Sequence, residues 1–365
     1  MKVLLILPFV ASLAFGEDRV TQKEVDAAIA KGAKFLASAP ADRFDGRSDE
    51  LVALALAHAG VRPSQEPLKG LLDRIVRGQL TATYNVALQA VLLLVVDPKK
   101  YRNRLADCGQ WLIDSQSPNG QWTYGGSLVR TPERTVASGN GEGTITLKAK
   151  GDTVAGGGGG DNSNSQFGLL GLWAVSRAGI KVPASPFERA ERWWKSAQES
   201  EVRGNVVEEG AARGWGYGSG GPATPSMTCA GVAAMAICGM GLGAADRNRP
   251  QMSAGMRWLG AHFAVIPNYY YLYSLERAGT ITGEKLIGGH DWYQEGARFL
   301  IDGQGADGSW TGGYGGTIDT CFAILFLKRA TESLTGGAGG LDRASVTPDD
   351  PATEPVEPEA DDGKK

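Results

Sequence analysis

The residues best suited to chemistry lie where polar groups interrupt apolar runs. Asp319 follows Thr317 and is surrounded by Ile318, Phe322, Ala323 and Ile324. Burying a carboxylate in such company costs several kcal/mol unless it is paired or serves a purpose. Asp319 is therefore the first candidate for a proton donor or ligand. Asp161, with Asn162 and Asn164 beside it, precedes another apolar run and is the candidate partner. Asn268 opens a third, followed by Tyr269, Tyr270, Tyr271 and Tyr273, which would supply an apolar wall able to stabilise positive charge. Asp49, Tyr84, Asn85 and Thr224 to Thr228 stand at similar places. The competing explanation is plain capping: Asp, Asn, Ser and Thr are the preferred residues at helix starts.

The elements that must position these residues follow from a phrase written twice. Trp111-Leu112, Gln116, Gly120 and Trp122 share their spacing with Phe299-Leu300, Gln304, Gly308 and Trp310. An aromatic-Leu pair belongs on a buried helix face, Gln ends the helix and bonds loop backbone, Gly permits a tight turn, and Trp fills the next layer. Partial copies occur at Phe35-Leu36, at Trp193-Trp194 with Gln198 and a stretched turn to Trp215, and at Trp258-Leu259. Anchor spacing gives a unit of roughly 40 residues.

Each unit predicts an amphipathic helix and then a far more apolar one. The apolar members are expected over 49–59, 84–96, 163–178, 228–242, 269–278 and 317–330. Apolar residues all round these segments argue for helices enclosed on every side, whereas Glu24 to Leu36 keeps one apolar stripe. Six such pairs, each closing on the next, predict an all-α (α/α)6 toroid of six inner and six outer helices spanning 17–332.

The repeated phrase resembles the QW repeat of squalene and hopene cyclases, over roughly residues 22 to 330. That superfamily includes the β subunits of protein prenyltransferases, which share the helical ring. The resemblance implies a central cavity, an isoprenoid or other lipid ligand, and cyclase-like or prenyl-transfer chemistry. Cyclases of this kind protonate from an Asp-x-Asp-Asp run, and the chain has none; its Asp-Asp pairs fall at 349 and 361. Asp319-Thr320-Cys321 is similar to the zinc-holding Asp-x-Cys of prenyltransferases. No histidine follows it, the three being His58, His262 and His290, so no metal site is assigned. Two other readings stand beside these. One is a binding or scaffold ring without catalysis; the other is a glycan-cleaving toroid with paired carboxylates about 5–10 Å apart.

Composition narrows the field. The net charge of −3 divides into −5 for residues 346–365 and about +2 for the rest. No basic stripe with interleaved aromatics appears, so nucleic acid is not an expected partner. Gly156 to Gly160 lacks the lysine and hydroxyl of a phosphate loop and the context of a dinucleotide turn, so no cofactor is assigned. Residues 127–160 read as an insertion, with a small hairpin near 143–148, and 333–365 as a disordered acidic tail. Lys2, the apolar stretch 3–15 and Ala14-Phe15-Gly16 read as a cleavable signal peptide over 1–16. The expectation is a secreted or periplasmic protein with no transmembrane segment in its mature chain. Cys108, Cys229, Cys238 and Cys321 are expected as buried small hydrophobes rather than a disulfide framework.

Overall fold

A computed structural model describes residues 19–38, 49–125, 135–136, 144–149, 159–199 and 209–331. The signal-peptide reading of 1–16, the tail over 333–365 and most of the 127–160 insertion lie outside the described residues. The described chain is all-α, with twelve α-helices, one short 3-10 turn (Ala245–Asn248) and two strands of two residues each. No described helix is long and apolar enough to cross a membrane.

The helices alternate between two kinds. The odd-numbered are α1 (Gln22–Ser38), α3 (Leu68–Arg77), α5 (Arg102–Ser115), α7 (Ser185–Ala197), α9 (Arg249–Ala261) and α11 (Trp292–Asp302). The even-numbered are α2 (Asp49–His58), α4 (Thr83–Val96), α6 (Asn162–Arg177), α8 (Pro225–Gly241), α10 (Tyr269–Thr282) and α12 (Gly316–Leu327). α3 typifies the first kind: Leu68, Leu71, Leu72 and Ile75 are buried at helical spacing, and Lys69, Asp73, Arg74 and Arg77 are exposed. α12 typifies the second, being buried at every residue from Thr317 to Leu327. A helix enclosed in this way draws its stability from packing on all sides rather than from one amphipathic face. Each even helix packs on the next, α2 on α4, then α6, α8, α10 and α12, and α12 packs on α2. Odd helices lie against them: α5 on α4 and α6, α9 on α8, α11 on α10 and α12, and α1 on α12.

The repeated phrase acts as a joint between successive units. Gln116 Nε2 donates to Gly120 O in its own turn and to Pro186 O at the start of α7, at 3.1 and 2.9 Å. Gln198 does the same to Arg213 O and to Gln251 O of α9, both at 3.0 Å. Gln304 donates to Gly308 O and to Ala28 O of α1, both at 2.9 Å. Each Trp then turns its indole N–H back on the preceding helix, Trp122 to Leu112 O, Trp215 to Trp194 O and Trp310 to Leu300 O. Its backbone N–H donates to a hydroxyl of the following even helix: Ser165, Thr228 or Thr320. Gly120 and Gly308 sit at φ +96° and +91°, and a Cβ there would lie 2.2 Å from Arg189 O and 2.5 Å from Lys31 O. Glycine is demanded at both by conformation and by contact.

The strand Ile145–Thr146 pairs antiparallel with Thr135–Val136 rather than forming a hairpin within 143–148. Its far edge exchanges backbone hydrogen bonds with Lys181. All four cysteines are free and buried. Burial pushes the Cys108 thiol up to about 12 and the other three well above the usual range.

Candidate functional site

The N-terminal ends of the even helices surround a cavity of about 520 Å³. Leu51 comes from α2, Tyr84, Asn85 and Leu88 from α4, Ser163 from α6, and Pro225, Ser226 and Met227 from α8. α10 supplies Tyr270 and Tyr271, and α12 supplies Ile318 and Phe322. Loops complete the wall with Tyr124, Tyr217, Tyr314 and Ile266. The volume falls within the range of about 300–1,000 Å³ usual for small-molecule pockets. Six tyrosines and one phenylalanine give the wall its character, and among the described residues no carboxylate, histidine or thiol lines it.

The tyrosines fall into a rim and a floor. Tyr124, Tyr217 and Tyr314 are exposed, and the Tyr124 and Tyr217 hydroxyls are 2.6 Å apart across the mouth. Burial, with the Tyr124 hydroxyl and then the Asp161 charge beside it, pushes the Tyr217 phenol up. At the floor Tyr270 stands against Phe322 and Tyr314, with ring centroids 5.7 and 6.1 Å away. Its hydroxyl lies 2.8 Å from Ser163 Oγ and receives the Gln166 amide at 2.6 Å. Burial pushes the phenols of Tyr84 and Tyr270 above their ordinary value, so both are neutral at physiological pH.

Neither carboxylate singled out in the sequence is part of the cavity wall, although Asp161 lies beside the Tyr217 phenol of the rim. Asp319 has no solvent exposure and is not part of the wall. Its Oδ2 accepts the backbone N–H groups of Gly312 and Tyr314 at 2.7 and 3.2 Å, so it holds the turn that carries Tyr314. Burial raises its carboxyl, while the Gly312, Tyr314 and Gly315 backbone pulls the other way. Asp161 caps α6, accepting Asn164 N at 2.8 Å on one oxygen and Asn164 Nδ2 at 2.9 Å on the other. The two acids belong to helices three places apart in the packing order, and each is engaged with its own backbone neighbourhood.

The remaining sequence candidates divide between wall and support. Asn268 and Tyr270 line the cavity, and Asn268 also caps α10 by accepting Tyr271 N at 3.0 Å. Asn162 is fully buried, accepting the Trp193 indole N–H at 2.7 Å and donating to Gly216 O at 2.8 Å. Asn164, Tyr269 and Thr317 are buried beside the wall but outside it. Tyr269 lies against the Gly312 turn, and Tyr273 stacks on Phe322 from below at 5.7 Å. Around Cys321 no metal centre assembles: the described residues bring no three His, Cys, Asp or Glu side chains together as metal ligands. His290, the histidine nearest to Cys321 in sequence, stacks on Phe263 and faces Glu295 at 3.1 Å.

Several residues that shape the cavity were not singled out from the sequence. Tyr124 and Tyr217 each stand two residues after a repeat Trp, Trp122 and Trp215, so an extended reading of the phrase would have found them. Gln166 and Arg277 carried no such signal. A larger cavity of about 660 Å³ lies between α9 and the C-terminal halves of α8 and α10. Met240, Met252, Met256, Arg249 and Arg257 line it, and none of the helix-start residues takes part. Comparison with known proteins adds no identity: no protein-family model matches the chain, and no curated protein does either.

Proposed function

We propose that the chain is an (α/α)6 toroid of the cyclase and prenyltransferase repeat type that binds an isoprenoid or similar apolar ligand without transforming it. The closed neighbour order of the even helices supports the ring, and so does Gln304, which staples the last unit to α1 as Gln116 staples α5 to α7. One observation carries the functional reading: among the described residues the cavity wall is made of tyrosines, aliphatic side chains and neutral amides and hydroxyls, with no proton donor stronger than a phenol and no thiol. A protonation-driven cyclase needs an acid aimed at the ligand, and prenyl transfer needs an activated thiol. Asp319 and Asp161 hold backbone and amide groups instead, which also speaks against paired-carboxylate glycan cleavage. In this reading the ligand is met outside the cytoplasm, because the first sixteen residues have the grammar of a signal peptide.

The test is incubation with farnesene, an isoprenoid hydrocarbon, followed by native mass spectrometry and recovery of the ligand. The expected result is saturable binding of one molecule, lost on Phe322→Ala, with farnesene recovered unchanged. Cyclised product would overturn the non-catalytic part, and absence of binding would overturn the isoprenoid part.

A further inference from the structure

Beneath the cavity floor lies a cation whose influence reaches the wall through a directed chain of hydrogen bonds. Arg277 is 2% exposed, and its guanidinium carbon lies 5.0 Å from the Phe167 ring centroid and 4.3 Å from that of Tyr273. Such faces stabilise a desolvated guanidinium. Its Nη2 donates to Gln166 Oε1 at 2.8 Å and to Ser274 Oγ at 3.2 Å. No carboxylate of a described residue forms an ion pair with it; its neighbour Glu276 gives its oxygens to Thr331 and Thr280.

A guanidinium has donors and no acceptor, which fixes the orientation of everything beyond it. The Gln166 oxygen must face Arg277, so its amide N–H faces outward and donates to Tyr270 Oη at 2.6 Å. Tyr270 Oη is thereby an acceptor, and its proton must go elsewhere. Its hydroxyl partners are Ser163, at 2.8 Å, and Tyr84, which also bonds Ser163, and all three belong to the cavity wall. A hydroxyl turns about its C–O bond, so one of the three can leave its neighbour and donate to an occupant. The floor of the cavity therefore offers a donor, backed by a buried guanidinium that makes no ion pair with a described carboxylate.

We propose that the Arg277–Gln166–Tyr270–Ser163 chain recognises the polar end of the ligand, selecting an apolar chain that terminates in a carboxylate and enters with that end down. This rests on the binding reading above and adds the identity of the terminus. Tyr270 and Ser163 are the contacting groups, while Gln166 and Arg277 are positioning residues that act through them. A neutral acceptor would use the O–H donor alone; a carboxylate would also gain from the buried cation. A hydrocarbon leaves the hydroxyls bonded to one another and gains nothing from them or from the cation.

The experiment compares farnesoic acid, methyl farnesoate and farnesene by titration with the purified protein above the acid's pKa. The expected order of affinity is acid, ester, hydrocarbon, with the acid about tenfold tighter than farnesene, as one charge-assisted hydrogen bond would give. Tyr270→Phe should bring the three ligands to within about twofold of one another. Gln166→Leu should do the same without touching the wall, which separates donor orientation from loss of shape. Lauric acid distinguishes the source of the chain: weaker binding than farnesoic acid assigns an isoprenoid, and equal binding an acyl chain, the terminus being common to both. Equal affinity of wild-type protein for acid and hydrocarbon overturns the inference and leaves the cavity reading intact, as does full acid preference in both variants. Failure of every probe to bind overturns the cavity reading, and this inference with it.

Discussion

Asp319 shows how a buried carboxylate singled out for chemistry also anchors a turn. Its Oδ2 accepts backbone amides five and seven residues upstream, which no local pattern reveals, while its Oδ1 has no hydrogen-bond partner among the described residues. The bond from Gly312 N at 2.7 Å and that from Tyr314 N hold the loop that presents Tyr314 to the cavity. Asp319→Ala should leave these N–H groups without an acceptor and cost about 2–6 kcal/mol at roughly 1–3 kcal/mol for each orphaned group. Chemical denaturation measures the loss, and any ligand of the cavity should be held more weakly. A variant with unchanged stability would mean that Asp319 does not anchor the turn. Arg277 makes the opposite point. Nothing in the apolar run 269–278 marks it out, and it lies buried over the Phe167 and Tyr273 rings.

At the scale of elements, the repeat was legible because its residues perform the same contacts each time. The Gln, Gly and Trp of both intact copies occupy the joints that their chemistry suggests, and the apolar runs became the fully enclosed helices. What the phrase omitted was its counterpart on the following helix. A Cβ on Gly168 would lie 2.5 Å from the Trp122 ring, and one on Gly231 would lie 2.2 Å from that of Trp215. Each indole thus lies flat against an even helix at a glycine, a pairing invisible without knowing which helix follows. The cavity was legible only in part for a related reason. Helix starts named Tyr84, Asn268 and Tyr270, whereas Tyr124, Tyr217 and Tyr314 come from loops whose course depends on the packing of neighbours. Gly231→Ala and Gly168→Ala should each destabilise by about 1–3 kcal/mol through overpacking. Gly218→Ala, where a Cβ would meet nothing within 4 Å, is the control expected to change the thermal midpoint little. Equal midpoints for all three would show that the indoles do not press on these helices.

For the whole molecule, enclosure of the even helices buries several ionisable groups, and two of them, His58 and Glu276, shape how stability varies with pH. His58, at the end of α2, is held by burial, with Lys328 adding to the effect, at about 3 against an ordinary 6.5. The unfolded chain takes up this proton first, so stability falls as pH drops from 6.5 towards 3, by up to about 5 kcal/mol at 1.36 kcal/mol per unit. Glu276 is pushed by burial up to about 7 from 4.5, against the opposing pull of Thr331, Arg277 and Thr280. Here the folded chain holds the proton longer, so stability falls as pH rises from 4.5 to about 7, by about 3 kcal/mol. Between 4.5 and 6.5 the two slopes oppose each other, and Glu24, held at about 2, steepens only the acid side. The expected profile is a plateau across that interval with a decline on either side. Denaturation midpoints from pH 4 to 8 would trace it. Glu276→Gln, which mimics the protonated acid, should flatten the alkaline decline and leave the acid one, while His58→Gln should do the reverse. A Glu276→Gln protein that still loses stability between pH 6 and 8 would place the titrating group elsewhere in the molecule.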